Sequence, residues 1–437
     1  MKRVNMHHSV VYVLLLAWTA PTFSALECPP FRMHLHRRSS FITKSLSALL
    51  IQPAGAAAIA FDNSNRRFKS SDGKSPLASS TSYDNSSNVE KITVVYQPLY
   101  VNVSGVQIPV ASWYHSREES KTTATQPLDS YQHRISLQKI GRKLAGWDFI
   151  PSFANRNFAL RPASQNSNIR VVTVRDEQRW KGQLQQLPSS TPVVILAHGY
   201  LGSRFDLYHL AEKLASEGFL VLSPEYPESL ADSFDPIILD TASGKILRNI
   251  DREMITNQLL LTLQQTWKVS PTSFGIVGHS LGCGTAERTG NDNWTRVCLA
   301  GFPSSRGNGS NCLFIGSMND GAVNVDRALG MLRDYNYVNL EERKIRSMIS
   351  RQQCPTIPSK SYLIFAENGA PNHISFLSEE TNDAMVDFLS PLLPLARVLN
   401  IPVLDFDKYQ LARDSRVCGD VVVPLVAGYL KQTMKVY

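Results

Sequence analysis

The pentapeptide Gly278-His279-Ser280-Leu281-Gly282 carries the clearest chemical signal in this sequence. It follows a short apolar stretch, residues 274–277, which we predict to be a strand, and it opens a segment that can be helical. A sharp turn of this kind holds a serine in a strained conformation, and glycine on each side avoids a steric collision. The helix N-terminus would place backbone N–H groups near Ser280, where an oxyanion develops. The pattern therefore predicts a nucleophile elbow with Ser280 as the nucleophile.

A serine hydroxyl needs a base and an orienting carboxylate. Of the ten histidines, only His373 follows Ser280, and it lies about seven residues beyond a predicted strand, 362–366. Asp320 comes just after the predicted strand 313–316 and is our choice for the carboxylate. Two alternatives are Asp326, which suits a solvated helix better, and Asp292, which suits a loop better.

The loop His198-Gly199-Tyr200 follows another predicted buried strand, 193–197, and is a second source of backbone N–H groups. We predict an oxyanion hole made of the N–H groups of Tyr200 and Leu281. His198 is expected to bond within the loop. The Tyr200 side chain either lines the pocket or simply packs.

Short apolar runs alternate with helical patterns from residue 192 onward, which favours βαβ units and a parallel sheet with both faces covered. We predict strands at 93–96, 99–103, 107–113, 169–174 and 219–223, and a helix that begins at Ser203 as N-cap. The last predicted helix, 421–434, would hold Pro424 in its first turn. Residues 91–437 are thus read as one α/β domain, with 116–168 as an insertion.

These segments resemble the α/β-hydrolase superfamily over about residues 192–376. The stretches His198-Gly199-Tyr200-Leu201 and 214–221 are similar to plant chlorophyllases, and their continuation through 223–227 is similar to the platelet-activating factor acetylhydrolase and dienelactone hydrolase-like group. The resemblance implies an α/β-hydrolase fold, with a mostly parallel central sheet and helices on both faces. It also implies the chain order Ser280, Asp320, His373 and the absence of a metal or cofactor. One residue departs from both families: Cys283 stands where a second glycine usually follows the elbow, which crowds the helix behind the serine.

We predict a serine carboxylic ester hydrolase that forms an acyl-enzyme and acts on a lipid or lipid-like ester. The leading substrates are the phytyl ester of chlorophyll and a short-acyl phospholipid. Two alternatives are an acyltransferase on the same scaffold and a non-catalytic binding protein, against which the complete triad argues. The apolar stretch 388–399 either borders a lipid site, with peripheral contact to a membrane, or packs in the core.

Residues 1–90 read as a leader followed by a linker. Residues 1–25 have the charged start, apolar run and small-residue exit of a signal peptide. Residues 26–60 form a transit-like segment with the twin-arginine pair Arg37-Arg38, and the polar stretch 61–90 is predicted to be disordered. We expect a plastid protein, with the thylakoid lumen as destination; the alternative is a secreted one.

Charge and cysteine content argue against a nucleic-acid-binding protein, a zinc protein and a fold built on disulfides. The formal charge is +8, but residues 1–60 hold six basic residues and one acidic residue, so the rest of the chain carries about +3. So small a surplus of positive charge does not indicate a nucleic-acid-binding surface. The six cysteines form no Cys-x-x-Cys pair and have no histidine at zinc-ligand spacing, so we expect neither a zinc site nor a fold built on disulfides.

Overall fold

The computed structural model describes residues 91–116, 125–136, 138–139, 155–163, 168–174, 177–188, 190–233, 237–239, 246–271, 273–301, 311–333, 336–353, 355–366, 369–389 and 414–436. The predicted leader and linker, 1–90, and most of the apolar stretch 388–399 lie outside these residues.

An eleven-stranded sheet forms the centre of the described domain, in the order β14-β15-β13-β12-β11-β7-β8-β2-β1-β6-β3. The strands of the chain are β1 Ile92–Val103, β2 Val106–His115, β3 Thr125–Pro127, β4 Tyr131–Ile135, β5 Arg156–Leu160, β6 Ile169–Val174, β7 Val193–Ala197, β8 Leu220–Pro224, β9 Ile237–Leu239, β10 Ile246–Asn249, β11 Phe274–His279, β12 Thr295–Leu299, β13 Asn311–Ser317, β14 Val338–Asn339 and β15 Lys360–Phe365. From β14 to β8 every neighbouring pair is parallel, while β2 is antiparallel to both β8 and β1. The predicted α/β-hydrolase fold, a mostly parallel sheet between helices, is confirmed.

Helices connect the parallel strands and bury both faces of the sheet. They are α1 Glu177–Gln185, α2 Tyr208–Ser216, α3 Arg252–Gln265, α4 Leu281–Arg288, α5 Val325–Arg333, α6 Glu342–Ser350, α7 Glu379–Leu389 and α8 Ser415–Met434. Strand β7 shows why its apolar run is continuous. Val194 and Leu196 join the core that α2 and α8 cover, while Val193 and Ile195 join the core that α1 and α3 cover. A strand covered on both sides has no polar face.

The first strand differs from the sequence prediction. Residues 93–96 and 99–103 were predicted as two strands, yet β1 runs unbroken from Ile92 to Val103, through Pro98. On one side β1 pairs with β6 only at Ile92–Tyr96, so from Pro98 onward that side has no partner strand among the described residues. A proline is tolerated at an edge, where no ladder hydrogen bond is required of its nitrogen.

Two predicted helix starts were also wrong. Helix α8 begins at Ser415, which puts Pro424 at its tenth residue and not in the first turn. Burial of most of the helix, including Val421, Leu425 and Leu430, offsets the backbone bond lost at the proline. Helix α2 begins at Tyr208, and Ser203 caps the preceding turn: its hydroxyl accepts from the Phe205 N–H, while the Asp206 carboxylate accepts from the Ser203 N–H.

The region predicted as an insertion, 116–168, contributes strands in its described parts. Strand β3 pairs antiparallel with β6 at the edge of the main sheet, and β4 pairs antiparallel with β5 in a separate two-stranded sheet. We call the β4–β5 pair, Tyr131–Ile135 with Arg156–Leu160, the side ribbon. It is held over the carboxyl ends of the parallel strands by backbone bonds from Ser136 N to Leu230 O and from Asp232 N to Arg134 O.

Candidate active site

Ser280 lies in the sharp turn between β11 and α4. Its backbone has φ 55° and ψ −120°, a strained conformation for a residue with a side chain. The Ser280 N–H donates to Leu299 O at 2.9 Å, which fixes the turn against the next strand. The glycines give room for the turn itself: a Cβ on Gly278 would lie 2.3 Å from the backbone of Gly282, and a Cβ on Gly282 would lie 1.9 Å from Ala197 O. Ser280 is therefore presented at the carboxyl end of the sheet.

The structure brings Ser280, His373 and Asp320 into one hydrogen-bonded chain. His373 Nε2 lies 2.8 Å from Ser280 Oγ, and His373 Nδ1 lies 2.9 Å from Asp320 Oδ1. Both His373 and Asp320 are buried. The carboxylate follows β13 and the histidine follows β15, so adjacent parallel strands deliver them to the same edge. The two alternative carboxylates lie outside this hydrogen-bonded triad. Asp326 is exposed in the first turn of α5, and Asp292 is exposed before β12.

The loop that carries Asp320 is held rigidly. Its Oδ1 also accepts from the backbone N–H groups of Ala322 and Val323, at 3.0 and 2.7 Å. Ser317 donates its hydroxyl to Pro371 O, which ties this loop to the one that carries His373. The carboxylate is thus oriented before any substrate arrives.

His279 has a role that the sequence did not reveal. Its Nε2 lies 2.9 Å from His373 O, and because a carbonyl only accepts, Nε2 must carry the proton. Burial, with the nearby His373, lowers the pKa of His279 to about 3, so the ring is neutral. His279, the residue before Ser280, therefore supports the backbone of His373.

The loop after β7 lies against the nucleophile. A Cβ on Gly199 would be 3.0 Å from Ser280 Cβ, so a side chain at this position would crowd Ser280. His198 donates from Nδ1 to Gly199 O at 2.8 Å and accepts at Nε2 from Tyr226 N at 2.9 Å, which fixes one neutral tautomer. The predicted oxyanion donors, the amides of Tyr200 and Leu281, thus border Ser280 from two segments. The Tyr200 side chain is about half exposed and lines the cavity at Ser280.

A cavity opens in front of Ser280 and His373, and most of its walls are apolar. The side ribbon supplies one wall through His133, Ile135, Phe158 and Leu160. The apolar residues of the other walls are Leu201, Leu230, Ile374, Leu377 and Ala384. Among the described residues of the lining, Asp206 is the only one with a carboxylate, and burial raises its pKa to about 7. The cavity is suited to a mostly apolar substrate that reaches the serine.

The described residues lack two features. They contain no group of three or more His, Cys, Asp or Glu side chains arranged to hold a metal ion. They also contain no helix long and apolar enough to cross a membrane.

One segment of the chain matches a known protein family. Residues 182–295, about a quarter of the chain, match the Dienelactone hydrolase family. This segment holds the loop at His198 and the elbow at Ser280. No curated protein sequence matches the chain significantly.

Several solved structures match the chain at low identity and with low TM-scores. A ferulic acid esterase from Streptomyces cinnamoneus is 16% identical, with a TM-score of 0.38, and the match covers 79% of this chain and 91% of that one. An esterase from Pyrococcus furiosus is 12% identical, with a TM-score of 0.33 and coverage of 68% and 90%. A dienelactone hydrolase from Anabaena variabilis is 14% identical, with a TM-score of 0.29 and coverage of 68% and 95%. Since these TM-scores are low, the fold assignment rests on the strand order. The strand order is that of an α/β hydrolase, and the family match over residues 182–295 supports carboxylic ester hydrolase activity.

Proposed function

We propose that this carboxylic ester hydrolase uses Ser280 as nucleophile, His373 as general base and acid, and Asp320 as the group that orients His373. The single observation that carries the proposal is the continuous chain Ser280 Oγ···His373 Nε2 and His373 Nδ1···Asp320 Oδ1, at 2.8 and 2.9 Å. These distances allow proton transfer without rearrangement.

The reaction has two halves. Ser280 Oγ attacks the ester carbonyl while His373 Nε2 takes the hydroxyl proton, and the oxyanion is stabilised by the amides of Tyr200 and Leu281. His373 then protonates the leaving alcohol, and the acyl group stays on Ser280. In the second half, water gives a proton to His373 Nε2 and attacks the acyl-enzyme. His373 then returns that proton to Ser280 Oγ as the bond to the acyl group breaks and the acid leaves.

The cavity supports a lipid or lipid-like ester as substrate. Phe158, Leu160, Leu230 and Leu377 would contact an apolar acyl or alkyl chain, and burying each CH₂ group contributes about 0.8 kcal/mol. The leading candidates are chlorophyll, through its phytyl ester, and a phospholipid with a short acyl chain.

The first experiment compares the purified full chain with Ser280→Ala on p-nitrophenyl butyrate, chlorophyll a and a short-acyl phosphatidylcholine. Chromatography follows chlorophyllide and free fatty acid, and Ser350→Ala, on the exposed end of α6, is the matched serine control. We expect hydrolysis to require Ser280 and not Ser350. Serine-dependent chlorophyllide would identify a chlorophyllase, and serine-dependent fatty acid alone would identify a lipid acyl esterase. Hydrolysis that survives in Ser280→Ala would refute the mechanism.

We also propose a plastid destination, on the pattern of residues 1–60 alone. A fluorescent protein fused after residue 90 should accumulate in the plastid, and replacing Arg37 and Arg38 by lysine should stop it short of the thylakoid lumen. Fluorescence in the culture medium would favour the secreted alternative.

A further inference from the structure

Arg252, the first residue of α3, is a buried cation beside the candidate active site, and the mechanism above does not use it. Its side chain is 7% exposed, and its guanidinium lies over the Tyr226 ring, 4.5 Å from the ring centre. Nε donates to Glu228 Oε2 at 2.8 Å, so the buried charge has a partner. A buried arginine of this kind needs acceptors for its remaining N–H groups.

Those acceptors belong to the two segments that flank Ser280. Nη1 donates to His198 O at 2.9 Å and to Thr285 Oγ1 at 3.1 Å, and Nη2 donates to Gly199 O at 3.4 Å. His198 and Gly199 are in the loop that precedes Tyr200, and Thr285 is on α4, whose first residue is Leu281. One guanidinium therefore joins the loop and the helix whose amides form the proposed oxyanion hole.

Because of the geometry of the peptide bond, these contacts also determine the direction of the Tyr200 N–H. Gly199 O and Tyr200 N–H belong to the same peptide group, and no peptide bond of the described residues is cis. In a planar trans peptide the carbonyl and the N–H point in opposite directions. Gly199 O is held by Arg252, by His198 Nδ1 at 2.8 Å and by Gly202 N at 3.3 Å. Holding this oxygen fixes the direction of the Tyr200 N–H.

We infer that Arg252 is a positioning residue for the oxyanion hole. It fixes the direction of the Tyr200 amide, and it fixes the position of the loop at His198–Gly199 relative to α4. The inference rests on the proposed function, since an oxyanion forms only if Ser280 attacks a carbonyl. Arg252 acts through the backbone and does not touch the substrate.

The chain offers a matched control in Arg296, on β12. Arg296 is equally buried, and its guanidinium donates to four backbone carbonyls, those of Ala286, Thr289, Asn291 and Trp294. These carbonyls lie at and beyond the far end of α4. Removing either guanidinium takes hydrogen-bond donors away from buried carbonyls and lowers stability, but only Arg252, of these two arginines, is bonded to the loop at Ser280.

The test compares Arg252→Met and Arg296→Met with the unmodified full chain and with Ser280→Ala. Each is assayed for kcat and KM on p-nitrophenyl butyrate, for Tm, and for the dissociation constant of an alkyl trifluoromethyl ketone. That inhibitor forms a tetrahedral oxyanion on an active serine. For Arg252→Met we expect kcat to fall roughly 100-fold, the range seen when one oxyanion donor is lost, with KM within about threefold of normal. Affinity for the ketone should fall in parallel with kcat/KM, while Arg296→Met loses Tm and keeps kcat per folded molecule.

Two results would overturn the inference: an Arg252→Met enzyme with kcat within about threefold of normal, or equal losses of kcat in both methionine variants. If Arg252→Met yields no folded protein, Arg252→Lys decides, because it keeps the charge and loses the fork of donors. A tenfold or larger fall in its kcat supports the inference, and a normal kcat refutes it. Hydrolysis that survives in Ser280→Ala would instead remove the proposed function, and with it the oxyanion.

Discussion

Asp320 and His373 are joined twice, once through their side chains and once through their backbones. His373 Nδ1 lies 2.9 Å from Asp320 Oδ1, and the His373 N–H donates to Asp320 O at 2.9 Å. The backbone bond fixes where the histidine sits, and the side-chain bond fixes the tautomer that leaves Nε2 free to accept the serine proton.

Replacing Asp320 by asparagine should leave the backbone bond in place and remove the charge that stabilises the imidazolium. We expect kcat on p-nitrophenyl butyrate to fall by about 10³–10⁴-fold, with a change of only a few degrees in Tm. Asp326→Asn, on the exposed face of α5, is the control and should keep full activity. The opposite ranking would move the carboxylate role to Asp326.

Cys283, on α4 behind Ser280, packs against Gly301, where a side chain would collide with it. A Cβ on Gly301 would lie 2.2 Å from Cys283 Sγ and 2.7 Å from Ser280 O. Gly301→Ala should therefore lower Tm and kcat together, since the alanine displaces both the helix and the elbow. Cys283→Gly should recover part of the Tm lost in Gly301→Ala, because one of the two clashes is gone. A double-mutant cycle in Tm that shows no coupling would contradict this packing relationship.

Acid should destabilise the protein before its carboxylates protonate. Burial lowers the pKa of four histidines, to about 4 for His133, His198 and His209 and to about 3 for His279. Below pH 6.5 the unfolded chain binds protons at these rings and the folded chain does not, so stability falls as pH drops from about 6.5 to 4.

His209, on α2, offers a clean test of this pH dependence. Burial is the only cause of its lowered pKa, and its Nδ1 has no hydrogen-bond partner among the described residues. His209→Leu should lose less Tm between pH 7 and pH 5 than the unmodified chain does, with unchanged kcat. An identical Tm profile would show that His209 binds a proton equally in both states.

The effect of Asp206 on the pH dependence of stability is opposite to that of the buried histidines. Burial raises its pKa from 3.8 to about 7, so between these values the folded chain keeps a proton that the unfolded chain releases. Its effect is a loss of stability as pH rises through this window, and the loss is complete above pH 7. Asp206→Asn should therefore gain Tm relative to the unmodified chain at pH 8 and show no such gain at pH 4. A constant difference in Tm across this range would contradict the shifted pKa.

The side ribbon should set the chain length of the substrate. Phe158 lines the cavity, while its neighbour Asn157 is exposed on the other face of β5. Phe158→Ala should move the preferred p-nitrophenyl ester toward longer acyl chains, because the wall recedes. The measurement is kcat/KM from acetate to decanoate, with Asn157→Ala as the control. An unchanged preference would place the acyl chain against another wall.

The sequence allowed the parallel half of the fold to be predicted because its signals are local. Strand β7 is a run of five apolar residues, and the segment around Ser280 is a strand, a glycine-flanked turn and a helix in direct succession. The predicted strand 193–197 therefore agrees with β7 residue for residue. Features that depend on distant partners could not be predicted in this way. Nothing near Pro98 shows that its outer side has no partner strand among the described residues, and nothing near Pro424 shows that the whole of α8 is buried.

The same distinction applies to the site. Ser280, Asp320 and His373 each follow a recognisable strand, so their positions in the chain were sufficient to choose them. The supporting contacts were missed because they join residues far apart in sequence. His279 and His373 are 94 residues apart, and Arg252 and His198 are 54 apart. The pairing of Cys283 with Gly301 was missed for the same reason, although the sequence did mark Cys283 as a departure.

One wall of the cavity comes from a different stretch of chain than Ser280, Asp320 and His373. The side ribbon spans Tyr131–Ile135 and Arg156–Leu160, whereas Ser280, Asp320 and His373 come later. Substitutions in the side ribbon therefore change this wall and leave the three residues of the proposed triad as they are. Evolution can alter which esters fit the cavity through the ribbon alone. An engineer can do the same with libraries of variants confined to the ribbon.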